Sequence, residues 1–330
     1  MRAMQLTSKT GYSGLRLNPG YHPGALGDGQ VLVKLAAAGV TPLEHTIATG
    51  GLPVSPSLPL VMGNEGAGVV VRSRHAAWSA GARIAFTGPY GMLRDGSWAD
   101  VTIVDGAHLA GVPDEVPLAT AAAMPVAYLT AYLALQQAGF EPGKIVLTPG
   151  AGGSVGNAAY QLGRAMGAAR VIATVGSPEK AAAARAAGMT DVIDLSIDDL
   201  AATARELTDG SGVNIVIDAV GGSVTPLCLA ALGFGGVAIV IGYSAGRTSA
   251  IRLTDLIWTA SSVRGFNLFS QPPEAIARAY EAVFSLLERG AIAPMIERVH
   301  PLEDAAAALQ HLIEDRPFGK VVLSIGARHA

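Results

Sequence analysis

Residues 144–156 read Lys-Ile-Val-Leu-Thr-Pro-Gly-Ala-Gly-Gly-Ser-Val-Gly. The short apolar run 144–148 predicts a strand, the glycines a tight turn, and residues 155–166 a helix. Glycine suits such a turn for three reasons: the chain reverses sharply, a pyrophosphate approaches its backbone N–H groups closely, and the helix packs against the strand. In a dinucleotide fingerprint Ala151 takes the first glycine position, and Gly153 and Gly156 the other two. Alone, the motif also fits a plain strand-to-helix turn; its surroundings decide for a cofactor.

Downstream, predicted strands at 170–175, 191–195, 213–218, 237–241 and 262–266 alternate with helices at 177–187 and 198–207. Six strands with intervening helices predict an α/β fold with a doubly wound parallel sheet. Upstream, short β-like runs at 30–36, 68–72, 83–87 and 99–104 lie between Gly and Pro clusters, as in a compact, largely antiparallel β domain. Helices at 273–289 and 302–313 and a strand at 320–325 complete the reading.

The chain has 330 residues, half of them hydrophobic and 15% charged, with a formal charge of −3. That is material for a large core and lacks the basic excess of a nucleic-acid binder. The single cysteine, Cys228, excludes an intrachain disulfide and a cysteine-rich metal site, and fits a cytoplasmic setting. Residues 1–10 lack the apolar core of a secretory signal. Residues 116–139 and 219–246 are uncharged over lengths that could span a bilayer, but internal Pro and Gly make them buried α/β core, so no membrane partner is expected.

Residues 174–180, Thr-Val-Gly-Ser-Pro-Glu-Lys, separate the two nicotinamide dinucleotides. An NAD site usually carries Asp or Glu at the end of the second strand to hold the ribose 2′-hydroxyl. Here the strand end is uncharged, and Lys180 lies within reach of a 2′-phosphate. Ser177 is a good N-cap and Pro178 a good first helical residue, compatible with anion binding at the same helix end. The expected cofactor is NADPH.

With these residues in place the chain resembles the medium-chain dehydrogenase/reductase superfamily, and within it the zinc-free quinone oxidoreductase branch. The resemblance is carried by Gly63-Asn64-Glu65-Gly66-Ala67-Gly68-Val69-Val70, Gly96-Ser97-Trp98-Ala99-Asp100, Ala121-Ala122-Ala123-Met124-Pro125 and Leu129-Thr130-Ala131-Tyr132. Residues 148–156 and 174–180, Asp218-Ala219-Val220-Gly221-Gly222, Gly265-Phe266 and Gly319-Lys320-Val321-Val322-Leu323 add to it. It implies a GroES-like catalytic domain of residues 1–123 and 267–330 into which a Rossmann domain, 124–266, is inserted. It implies that Thr130 lies beside the nicotinamide, that Gly152, Gly153, Ser154, Val155 and Gly156 hold the pyrophosphate, and that Gly176, Ser177 and Lys180 hold the 2′-phosphate. Gly242, Tyr243, Phe266, Asn267 and Leu268 would flank the nicotinamide. Homodimers joined edge to edge near 262–266 are also implied.

The departures from the family shape the functional expectation. Zinc relatives place cysteine where Thr41 stands and histidine where Asn64 stands, and the four-cysteine zinc loop is missing, so no metal is expected. Many quinone oxidoreductases carry Asn at Thr41 and Asp near Glu44, and often Tyr at Thr46 and Arg at Ala48. Thr41, Thr46 and Thr130 are the expected catalytic residues. The expected reaction is NADPH-dependent hydride transfer to a quinone or to the activated C=C bond of an enone, with no metal to activate an alcohol. Reduction of one pathway intermediate, such as an enoyl thioester or a secondary-metabolite enone, stays open, as does a non-catalytic NADPH-binding sensor or structural protein. His45, Tyr90 and Tyr243 are open as proton donors, beside a water held by Thr41 or Thr46. Tyr90, Trp98, Tyr128 and Phe269 line the cleft or fill the core, and Cys228 reads as inert core.

Overall fold

The computed structural model describes residues 1–53 and 55–326. The chain forms two compact units. The first comprises Met1–Val126, Pro272–Glu288 and Pro294–Ala330; the second comprises Ala127–Gln271 and Arg289–Ala293.

The second unit is built on a six-stranded parallel sheet. Across it the strands run Asp191–Asp194, Arg170–Val175, Ile145–Thr148, Val213–Asp218, Leu232–Val240 and Ser262–Gly265. The direction of succession reverses between Ile145–Thr148 and Val213–Asp218. In an open α/β sheet that reversal opens a crevice at the carboxyl ends of the strands. Leu147, Ile172, Ile193, Val216 and Ala238 from five strands form one buried cluster. Strands buried on both faces read as continuous apolar runs, which is why this sheet is visible in the sequence. The fifth strand begins at Leu232, five residues before the predicted start at 237. Gly233, Gly235 and Gly236 interrupt the apolar run there, Phe234 is 83% exposed, and the ladder with Val213–Asp218 is irregular.

The first unit holds a larger sheet in the order Ile296–Pro301, Lys320–Ser324, Gln30–Val40, Glu65–Ser73, Arg83–Thr87 and Leu109–Gly111, with Val101–Asp105 also on Gln30–Val40. All pairs are antiparallel except Ile296–Pro301 with Lys320–Ser324. Strand Ile296–Pro301 was not expected: its burial pattern is nearly all exposed or half-exposed, so it carries no apolar alternation. A small antiparallel sheet, Leu15–Asn18 with Ala3–Leu6 with Leu60–Val61, was likewise too short to show. Val31, Val33 and Leu35 alternate inward from Gln30–Val40 onto Phe86 and Trp98, and the Trp98 indole donates to Gly39 O at 3.1 Å. The predicted helix 302–313 is instead a 3₁₀ turn at Leu302–Asp304, a helix at Ala305–Gln310 and a π turn at His311–Asp315. Among the described residues, no helix is long and apolar enough to cross a membrane.

Among the described residues, the buried core of this unit contains one ion pair. Lys320 Nζ, at the start of the last strand, meets Glu65 Oε1, at the start of strand Glu65–Ser73; both side chains are buried. The other carboxylate oxygen of Glu65 accepts from Val126 N at 2.7 Å, in the first turn of helix Pro125–Gln137. A carboxylate is well placed there, because the first turn leaves N–H groups without intrahelical acceptors.

Candidate active site

The residues expected to carry function fall into two sets, one in each unit. In the second unit they follow the carboxyl ends of the parallel strands: Gly152, Gly153, Ser154, Val155 and Gly156 after Ile145–Thr148; Gly176, Ser177 and Lys180 after Arg170–Val175; Gly242 and Tyr243 after Leu232–Val240; Phe266, Asn267 and Leu268 after Ser262–Gly265. Parallel strands put all four loops at one edge of the sheet.

The first of these loops is shaped for an anion. Helix Ser154–Ala165 begins at Gly153, and no side chain caps it. Its first intrahelical bond is Asn157 N to Gly153 O, so Ser154, Val155 and Gly156 offer N–H groups at the positive end of the helix. Gly153 is exposed, and a Cβ on Gly156 would lie 2.4 Å from Gly150 O, so the close approach of turn and helix needs glycine there. These features fit the pyrophosphate of a dinucleotide.

The second loop is capped differently. The Ser177 hydroxyl accepts from Lys180 N at 3.3 Å at the start of helix Pro178–Ala186. Ser177 also holds the Glu179 carboxylate, which this bond lowers below its usual pKa. Glu179 therefore puts a negative charge beside the loop.

At the third loop, Gly242 packs against the segment after Val213–Asp218; a Cβ on it would lie 2.0 Å from Ala219 O. Buried Asp218 organises that segment. One carboxylate oxygen accepts from Val220 N and Gly221 N, both at 2.9 Å, and the other from the Thr225 hydroxyl at 2.6 Å. A cavity of about 360 Å³ lies here, with Gly221, Gly242, Tyr243, Arg247 and Val263 in its wall. Tyr243 is 45% exposed, and the Arg247 guanidinium stands 5.5 Å above its ring. Asn267 closes the fourth loop by accepting from Phe269 N at 3.0 Å, Leu268 is buried, and Phe266 N donates to Val240 O. Thr130 is buried on helix Pro125–Gln137.

In the first unit Thr41 and Thr46 lie on one short element. Thr41 precedes helix Pro42–Ala48, and Thr46 sits within it, its hydroxyl donating to Pro42 O at 3.3 Å. The residue that organises this site is Glu44, to which the sequence reading gave no role of its own. It is fully buried. Its Oε2 accepts from Thr41 N at 2.8 Å and stands 2.5 Å from the Thr41 hydroxyl oxygen, and its Oε1 accepts from Asn64 N at 3.0 Å. Burial pushes its pKa from 4.5 up to about 7, against the opposing pull of the Thr41 bonds and of Lys320. The signal was present in the sequence as Thr-x-x-Glu before an apolar helix, the spacing of a capping box.

Asn64 O accepts from the Thr87 hydroxyl at 2.9 Å, while both polar atoms of the Asn64 amide are buried without a partner. The Tyr90 hydroxyl contacts His108 at 2.8 Å and accepts from Asp105 N, and Trp98 is buried core. The His45 ring packs 5.4 Å from Tyr12. Cys228 is a buried free thiol that burial raises well above its usual pKa. Among the described residues, no three of His, Cys, Asp and Glu come together in a group that could hold a metal ion.

Comparison with known proteins gives two family matches: "Alcohol dehydrogenase GroES-like domain" over residues 27–114 and "Zinc-binding dehydrogenase" over residues 154–288. A quinone oxidoreductase of Pseudomonas aeruginosa is 32% identical over 310 residues, covering 92% of this chain and 93% of that protein. Among solved structures, the quinone oxidoreductase of Pseudomonas syringae pv. tomato superposes with a TM-score of 0.88 at 31% identity, covering 98% of this chain and 99% of the other. That of Escherichia coli, solved as a complex with NADPH, superposes with a TM-score of 0.88 at 27% identity, covering 98% and 100%.

The Glu44 carboxyl ties stability to pH. It binds its proton more tightly in the native protein than in the unfolded chain, so stability declines as pH rises from about 4.5 to about 7. At about 1.4 kcal/mol per unit the loss is at most about 3 kcal/mol. Thermal melts at pH 5 and pH 8 should show a smaller fall in Tm for Glu44→Gln than for the wild type. An equal fall in both proteins would place the titration elsewhere.

Proposed function

From the premise that the chain belongs to the quinone oxidoreductase-like branch of the medium-chain dehydrogenase/reductase superfamily and is an oxidoreductase, we propose that it is a zinc-independent enzyme. In this reading it transfers hydride from NADPH to a quinone or to the activated C=C bond of an enone. The observation that carries the reading is the uncapped start of helix Ser154–Ala165 at the carboxyl edge of the parallel sheet. NADPH, when bound, supplies the hydride.

The chain's own residues have the following roles. Gly152, Gly153, Ser154, Val155 and Gly156 receive the pyrophosphate on backbone N–H groups. Gly176, Ser177 and Lys180 receive the 2′-phosphate, and Thr130, Gly242, Tyr243, Phe266, Asn267 and Leu268 orient the nicotinamide. Thr41 and Thr46 face the substrate from a catalytic domain of residues 1–123 and 267–330, the cofactor domain being 124–266. Zinc independence rests on donor chemistry: a threonine hydroxyl and an asparagine amide stand where zinc relatives use cysteine and histidine, and neither replaces a thiolate or an imidazole as a zinc ligand. The substrate is a small apolar molecule, and the setting is cytoplasmic.

A homodimer is part of the proposal. Strand Ser262–Gly265 ends the sheet with one side unpaired, and Phe234, Ile257 and Trp258 in the same unit are 83%, 68% and 77% exposed. A second copy would pair that edge and bury apolar surface.

Cofactor titration tests the binding half. NADPH should bind at least about tenfold more tightly than NADH, about 1.4 kcal/mol. Lys180→Ala should lower that preference. Glu179→Gln should raise it, because Glu179 competes for the Ser177 hydroxyl. Equal affinities in the wild type, or a preference indifferent to Lys180, would overturn the assignment. The chemical half is tested by following NADPH absorbance with quinones, enones and enoyl thioesters in turn. Turnover of quinones or simple enones is expected. Turnover of an enoyl thioester alone would identify a pathway reductase, and no turnover despite tight NADPH binding a non-catalytic protein.

A further inference from the structure

The proposed reaction needs a proton as well as a hydride, and the one buried carboxyl group beside Thr41 can hold it. We propose that Thr41 and Glu44 form a two-member proton relay. The Thr41 hydroxyl donates to the substrate oxygen that hydride addition leaves negative, and the Glu44 carboxyl replaces that proton across their 2.5 Å contact. This rests on the functional reading above and adds to it the source of the proton.

Three observations carry the relay. The Glu44 Oε2 to Thr41 Oγ1 contact, at 2.5 Å, is the shortest Glu44 makes, and it can run in either sense. With Glu44 ionised, the hydroxyl donates to the carboxylate and presents only lone pairs elsewhere. With Glu44 protonated, the carboxyl donates to Thr41 Oγ1, and the hydroxyl's own proton turns away from Glu44, free for an acceptor. The backbone N–H groups of Thr41 and Asn64 hold both carboxyl oxygens, so the pair keeps its geometry in either state. An ordinary capping box has its Glu at the surface; this one is completely buried and has a third donor, from a different element. That donor belongs to Asn64, whose side-chain amide is 1% exposed and has no partner for either polar atom. A buried amide left in this state is unfavourable unless a ligand atom meets it, and the oxygen of a carbonyl substrate is such an atom for its N–H.

The surrounding charges leave Glu44 able to hold a proton at neutral pH. Lys320 is the one cation that pulls on it, and Lys320 is already paired with Glu65. The other elements packed against helix Pro42–Ala48 bring Tyr12, His311, Glu314 and Asp315, none of which bears on the Glu44 carboxyl. Burial therefore dominates, and the group sits at about 7.

For an enone the step balances. The β-carbon gains a hydride from the reduced nicotinamide, and the electron pair of the C=C bond shifts so that the carbonyl oxygen becomes an enolate. The Thr41 Oγ1–H bond breaks as an O–H bond forms on that oxygen. The Glu44 Oε2–H proton moves to Thr41 Oγ1, leaving Glu44 ionised. The enol departs and becomes the ketone in solvent, and one solvent proton returns to Glu44 through Thr41.

The test uses the full chain with NADPH and 2-cyclohexenone, or 1,4-benzoquinone if the enone is not turned over. Wild-type kcat should fall as pH rises through about 7, since the protonated form is the active one. Glu44→Gln should bind NADPH and melt cooperatively, lose about a hundredfold in kcat and show no such pH dependence. Thr41→Val should lose a similar factor together with the pH dependence of kcat, and Thr41→Ser should recover most of both; a purely structural role for the hydroxyl would leave the residual activity of Thr41→Val with the wild-type pH profile. Should Glu44→Gln fail to fold, the Thr41 pair decides. A readout independent of turnover is the infrared band of a protonated carboxyl, present at pH 6 and lost with Glu44→Gln or with Glu44 ionised. A missing band at pH 6, or variants that keep the wild-type rate and pH profile, overturns the relay alone. A wild type that turns over neither substrate overturns the functional reading and the relay with it.

Discussion

The buried pair of Lys320 with Glu65 is the interaction on which the first unit depends. It joins residues 255 apart in the chain. Removing two charges from water costs several kcal/mol per ion and is offset only when geometry and further hydrogen bonds are good. Here the second carboxylate oxygen of Glu65 is taken by Val126 N, and the backbone oxygen of Glu65 by the Ser97 hydroxyl. The pair thus fixes the last strand, the strand beginning at Glu65 and the first turn of helix Pro125–Gln137 in one place. It also acts on its neighbour. Lys320 pulls the Glu44 carboxyl toward ionisation, and the larger effect of burial overrides that pull.

Much of this was legible in the sequence, and what was not has a physical reason. The parallel sheet was legible because its central strands are buried on both faces and separated by glycine turns, as with Ile145–Thr148 before Gly150. Strand Ile296–Pro301 was not, because an exposed strand pairing on one side needs no apolar alternation. The glycine loop and the uncharged end of the second strand were legible as local patterns. The Glu44 cluster was not, although Thr-x-x-Glu was in view. A capping box gives no sign of burial, and the contact of Glu44 with Asn64 N spans 20 residues. Lys320 was visible only as part of the motif Gly319-Lys320-Val321-Val322-Leu323; its partner Glu65 sat in a different motif, and nothing in either announced the pair.

The two units divide the labour of the proposed reaction. The second offers backbone N–H groups, glycine clearance and a buried Asp218 that shapes one loop, all suited to holding and orienting a dinucleotide. The first offers the Thr41 hydroxyl, the Asn64 amide and the protonatable Glu44 carboxyl, brought together around the start of helix Pro42–Ala48. On this account a proton-holding cluster replaces a Lewis acid: charge developing on the substrate oxygen is met by a hydrogen-bond donor instead of a cation.

That exchange is the central claim, and isotope transfer tests it most directly. Protein stripped of metal with a chelator would be given NADPH with both hydrogens at C4 of the nicotinamide replaced by deuterium, together with an enone or a quinone, and the reduced product weighed by mass spectrometry. The account predicts one deuterium carried directly to the β-carbon of the enone product, at the rate of the untreated protein. An undeuterated enone product, or activity that vanishes on chelation and returns with zinc, would contradict it.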